Sequence, residues 1–85
     1  MKEVLYLYGT SACHLCEVAE KVIGNVLSQD YFDITVIDIA ESDAMIECYG
    51  TRIPVLQVKK NQDEIGWPFD EAQLMSFIEK SLFTG

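Results

Sequence analysis

Val4-Leu5-Tyr6-Leu7-Tyr8-Gly9-Thr10-Ser11-Ala12-Cys13-His14-Leu15-Cys16 decides how the rest of the chain is read. Its first five residues are continuously apolar and end at Gly9, the pattern of a strand buried on both faces. After Thr10-Ser11-Ala12 the period changes. Leu15, Val18, Ala19, Val22, Ile23, Val26 and Leu27 recur at helical spacing and form one apolar stripe, with Glu17, Glu20, Lys21 and Asn25 opposite. The two cysteines therefore stand at a strand-to-helix junction, Cys13 at the helix start and Cys16 one turn inside it.

Working outward, Phe32 to Ile39 is rich in β-branched residues and predicts a second strand. A helix of about two turns is expected from Ser42 to Tyr49, stopped by Gly50. Pro54 precedes Val55-Leu56-Gln57-Val58, and Lys60-Asn61-Gln62-Asp63 is a polar turn before Glu64-Ile65-Gly66-Trp67, so this pair is a hairpin. Asp70 and Gln73 have capping-box spacing and open a last helix with Leu74, Phe77, Ile78 and Leu82 on one face. The order β-α-β-α-β-β-α calls for one parallel pair and a terminal antiparallel hairpin. This is an α/β four-stranded mixed sheet with strand one in the middle and helices on both faces.

Eighty-five residues make one domain, 1–85. The net charge of −8 leaves no cationic excess for phosphate, so nucleic acid and anionic membrane are excluded as partners; a basic protein partner is compatible with it. No apolar run approaches the roughly 20 residues of a membrane span, and Val4–Tyr8 is too short for a signal-peptide core. The expected compartment is the cytoplasm and the expected state a monomer. Three cysteines do not make a secreted disulfide framework. Two of them at a spacing of three point to redox or metal chemistry.

A helix N-terminus offers free N–H groups and the positive end of the macrodipole, which stabilise a thiolate at Cys13. Cys16 lies deeper on the same side, so Cys13 is expected to attack a disulfide and Cys16 to resolve the mixed disulfide. His14, the one histidine, either adds positive charge beside Cys13 or is a solvated side chain. Leu15 is a rim residue or the first core residue of the helix. A tetrahedral zinc site needs two further ligands, and only Cys48, His14 and carboxylates are available, so no metal site is expected. Cys48 is expected to be a buried structural thiol. Arg52 is either an anion-steering cation or half of a surface pair, and Trp67 with Phe69 either core packing or an aromatic lip for substrate.

Leu7 to Cys16 resembles the active-site entrance of glutaredoxins, and Tyr49-Gly50-Thr51-Arg52-Ile53-Pro54-Val55-Leu56 resembles the cis-proline segment of thioredoxin-fold proteins. The chain is thus similar throughout to glutaredoxin-like proteins of the thioredoxin superfamily, which implies a minimal thioredoxin fold and thiol–disulfide oxidoreductase activity. The resemblance implies Cys13 as nucleophile, Cys16 as resolving thiol and Pro54 as the cis-proline. It also implies Ile53 as a backbone edge that pairs with an extended substrate. His14 and Leu15 replace the proline and tyrosine usual between the cysteines. Gly66-Trp67-Pro68-Phe69-Asp70 replaces the turn that holds the γ-glutamyl group of glutathione. There Asp70 either caps the last helix or meets an ammonium, and Arg52 is the one candidate cation for the glutathione carboxylates. The leading expectation is a dithiol reductase of protein or low-molecular-weight disulfides, without a bound cofactor. Its electrons would come from a thioredoxin-reductase or glutathione system. A glutathione-dependent glutaredoxin, with glutathione as co-substrate, and a non-enzymatic iron–sulfur or adaptor module are the alternatives.

Overall fold

The computed structural model describes residues 2–83. β1 (Glu3–Gly9) leads to α1 (His14–Val26), β2 (Phe32–Asp38), α2 (Asp43–Tyr49), β3 (Val55–Val58), β4 (Glu64–Gly66) and α3 (Glu71–Ile78). The sheet order is β2-β1-β3-β4. β1 runs parallel to β2, with Leu7 opposite Val36 and Gly9 opposite Asp38. β3 is antiparallel to both β1 and β4. The apolar first strand is central, as expected from its lack of a polar face.

Alternation along the strands sorts the core into two layers. Leu5, Leu7, Leu56 and Val58 face Ala19, Ile23 and Leu27 of the first helical segment, Leu74 and Ile78 of α3, and Phe69. Tyr8 and Val55 point the other way, where Tyr49 and Ile39 join them with Tyr6, Ile37, Met45 and Ile53. Helices therefore cover both faces of a four-stranded mixed sheet, which is the thioredoxin-like arrangement.

Local signals account for the helix ends. Ser42 Oγ accepts from Met45 N–H at 3.3 Å, and the Gly50 N–H closes α2 on the Ile46 carbonyl at 2.8 Å. The Asp70 carboxylate accepts from Gln73 N–H at 2.7 Å while the Gln73 side chain accepts from Asp70 N–H at 2.9 Å, completing the capping box. The third helix continues past Ile78 as a wider π-helical stretch, Glu79–Phe83.

Two expectations change, and one open alternative, at Leu15, closes. The second strand ends at Asp38, one residue early, because the Asp38 side chain accepts from Ala40 N–H (2.9 Å) and turns Ile39–Glu41 into a 3₁₀ turn. In α1 the innermost line is Cys16, Ala19 and Ile23, so Leu15 is a rim residue, 48% exposed. Cys48 is exposed, not buried. α2 is short and turns Met45 and Tyr49, four apart, toward the sheet; Cys48, one position before Tyr49, is rotated away by about 100°.

Candidate functional site

Cys13 is the N-cap of α1, in extended conformation, its own N–H donating to the Thr10 carbonyl at 3.2 Å. Cys13 and Cys16 form a disulfide across one helical turn, with Cα atoms 5.2 Å apart. Cys16 N–H donates to Cys13 Sγ at 3.1 Å. That donor, with the macrodipole behind it, favours negative charge on the outer sulfur. Cys13 is half-buried and Cys16 buried, so approach to the pair is from the Cys13 side.

Gly9 closes the inner side of the pair. A Cβ placed on it would stand 2.6 Å from Cys16 Sγ and 3.3 Å from Cys16 Cβ, inside van der Waals contact. The end of β1 must be glycine for the buried sulfur to lie against it. The strand-ending Gly9 was visible in the sequence; its contact with Cys16 depends on how α1 folds back over β1.

On the outer side lies a cavity of about 280 Å³. Gly9, Thr10, Ser11, Cys13 and Cys16 line one wall, and Glu17, Glu20, Leu7, Val36 and Asp38 complete it. Sequence reading missed the carboxylates and Val36. The i, i+2 alternation of β2 puts Val36 and Asp38 on one face, but only the β1–β2 register places them opposite Leu7 and Gly9.

The other predicted residues are placed as follows. His14 is exposed, with Nδ1 3.8 Å from Glu17 Oε2. Pro54 is fully buried and the Ile53–Pro54 peptide is cis; Trp67–Pro68 is also cis, which the sequence reading did not anticipate. Ile53 N–H already donates to the Tyr49 carbonyl at 3.1 Å, which engages the donor of the expected pairing edge. Trp67 packs edge-on against Phe69, ring centroids 5.1 Å apart, and its N–H donates to the Pro54 carbonyl at 3.0 Å. Asp70 is the cap of α3. Neither Ile53, Pro54, Arg52, Trp67 nor Asp70 lines the cavity at the disulfide.

Arg52 is held elsewhere. Its Nη1 lies 3.7 Å from Glu64 Oε1, its Nε donates to the Cys48 carbonyl at 3.1 Å, and its guanidinium carbon sits 5.1 Å from the Tyr49 ring centroid. Glu64 Oε2 accepts from the Tyr49 hydroxyl (2.7 Å) and Gln57 Nε2 (3.1 Å), and Gln57 Oε1 accepts from the Tyr8 hydroxyl (2.7 Å). Burial, above all, pushes the Tyr8 and Tyr49 phenols above their ordinary value. For Tyr49 the Glu64 carboxylate adds to this, as acceptor of the hydroxyl and as a nearby negative charge. Among the described residues, no three His, Cys, Asp or Glu side chains converge as metal ligands, and no helix is long and apolar enough to cross a membrane.

A disulfide at the N-terminus of the helix after a central strand, in a chain with a cis-proline directly ahead of β3, defines the thioredoxin-fold class of site. Residues 4–79 match the model of the glutaredoxin-like domain (DUF836), and the chain belongs to that family. Comparison with the curated proteins brings no match. Among solved structures, an X-ray structure of a structural-genomics target from X. campestris is 29% identical over 89% of this chain and 96% of its own, with a TM-score of 0.80. The solution structure of a Nitrosomonas europaea protein is 26% identical over 91% and 92%, TM-score 0.74. A mutant thioredoxin from Halobacterium salinarum is 28% identical over 91% of this chain and 72% of its own, TM-score 0.67.

Proposed function

We propose that the protein is a dithiol thiol–disulfide oxidoreductase that reduces disulfides of proteins or small molecules. The observation that carries this reading is the Cys13–Cys16 disulfide on the first turn of α1, with Cys16 N–H directed at Cys13 Sγ. In the reduced protein the Cys13 thiolate attacks one sulfur of a substrate disulfide, forming a mixed disulfide and expelling a substrate thiolate. Cys16 then attacks Cys13 Sγ, expelling the second substrate thiolate and forming the Cys13–Cys16 bond. Two electrons pass to the substrate, and two protons end on its thiols. A thioredoxin-reductase or glutathione system returns the electrons. The reducing cytoplasm suits a pair that must be re-reduced. The membership in a glutaredoxin-like family and the likeness to a thioredoxin support the same chemistry.

Glutathione is the weaker partner. Arg52, the candidate for its carboxylates, is paired with Glu64, and Asp70 is engaged in capping α3. Among the described residues, the cavity at the disulfide carries three carboxylates and no cation. The test is insulin reduction with a regenerating reductant: wild type should accelerate it, Cys13→Ser should fall to the rate of the reductant alone, and Cys16→Ser should accumulate a mixed disulfide. A wild-type rate equal to that of Cys13→Ser removes the reading.

A further inference from the structure

The cavity at the disulfide does not end there. A second one, of about 370 Å³, is lined by Lys2, Glu20, Ile23, Gly24, Leu27, Gln29, Phe32, Asp33, Ile34 and Val36. The two share Glu20 and Val36, so they make one trough between α1 and β2 that begins at Cys13. Its floor is apolar, and Val36 is 56% exposed there without a covering helix. Among the described residues its walls carry Glu17, Glu20, Asp33 and Asp38 against Lys2 alone. β2 is also the end strand of the sheet, paired only with β1, so the backbone groups on its other edge are open to an extended chain.

Resting on the oxidoreductase reading, we propose that this trough docks an extended, cationic polypeptide segment whose cysteine is presented to Cys13. Charge decides the occupant. An anionic thiol would meet the carboxylates of Glu17, Glu20 and Asp38, and a second copy of this chain would bring a net charge of −8 to a surface of the same sign. A segment with lysine or arginine flanking its cysteine meets four carboxylates and can lay one apolar side chain over Val36. The trough lies on the α1–β2 side of the disulfide, whereas Ile53 belongs to the α2 layer and its N–H is already bonded to Tyr49.

The test uses short synthetic peptides, each with one cysteine in mixed disulfide with thionitrobenzoate, flanked by lysines, glutamines or glutamates. The reduced protein's Cys13 attacks the peptide sulfur and expels coloured thionitrobenzoate; Cys16 then releases the peptide thiol and the protein becomes the disulfide. At low salt the lysine peptide should react about tenfold faster than the glutamate peptide, with glutamine between. That ratio should approach one in about 1 M salt. It should do the same in the Glu17→Gln/Glu20→Gln/Asp38→Asn variant, where the asparagine keeps the oxygen that accepts from Ala40 N–H. A remote variant of equal charge change, Glu41→Gln/Asp43→Asn/Glu47→Gln, should keep the ratio. Equal rates for the three peptides, or a ratio lost equally in the remote variant, would overturn the trough while leaving the oxidoreductase reading in place. No peptide reacting faster than with Cys13→Ser would overturn both.

Discussion

Under α1 and α3 the sheet presents Leu5, Leu7, Leu56 and Val58, whereas under α2 it presents Tyr6, Tyr8, Val55 and Gln57. The first face is sealed by wholly apolar side chains, mostly aliphatic with Phe69 among them, and its four strand residues are all but inaccessible. The second is a stack of phenols, with Tyr8 and Tyr49 rings 4.3 Å apart, whose hydroxyls end in Gln57 and Glu64. The difference follows from the helices. α1 has thirteen residues and carries a continuous apolar stripe; α2 has seven and sinks one tyrosine. Where a short helix cannot seal a sheet, amphipathic side chains cover the surface and keep a polar end in reach of partners.

That contrast can be broken in order of size. Leu56→Ala, on the sealed face, should cost about 2–5 kcal/mol, read as a drop in the denaturant midpoint. An equal loss from Tyr49→Phe would show that the two faces are not different in kind. Gly9→Ala should cost about 1–3 kcal/mol, from the close approach of Cys16 Sγ. The loss should be greater in the oxidised protein, because a free Cys16 thiol can rotate away from the new methyl and a bonded sulfur cannot. Denaturation with and without reductant measures this, and the same bias makes the Gly9→Ala disulfide easier to reduce. Tyr49→Phe removes a hydroxyl bonded to Glu64 and should cost about 0.5–1.5 kcal/mol near neutral pH.

The tyrosine face should also respond to alkali. Above the ordinary phenol value of about 10 the unfolded chain gives up its phenolic protons while Tyr8 and Tyr49 keep theirs when folded. The folded state then binds more protons, so stability falls as pH rises from there. Tyr49→Phe should flatten that fall, and a pH series of melting temperatures reads it directly. The smallest effect is Arg52→Ala, below about 1 kcal/mol by the same denaturation assay, because the pair with Glu64 is half in solvent.

The sequence carried the architecture where the signal was local. The continuous apolar run of β1, the glycine after Tyr49 and the Asp70–Gln73 pair each depend on neighbours in the chain, and each is met in the structure. The cysteine pair was legible for the same reason. What needed the folded chain was anything set by packing between elements. Whether Cys48 or Leu15 faces inward depends on a rotation of tens of degrees about a helix axis. Arg52, in the turn after α2, found Glu64 twelve positions away on β4. Of the carboxylates near Cys13, Glu17 and Glu20 stand on the same helix, but Asp38 comes from β2 about 25 residues later, and no spacing rule connects it to Cys13.

The bond between Cys13 and Cys16 spans a sequence separation of three. In the loop-closure picture, a link that closes so small a ring removes little freedom from the unfolded polymer: about 2 kcal/mol, against nearly 5 for a ring of about 100 residues. By linkage, whatever stability the bond lends the fold is what the fold lends the bond, and both are small. Opening and closing the ring is therefore an event of one helical turn, with sheet and helices held by their own packing throughout.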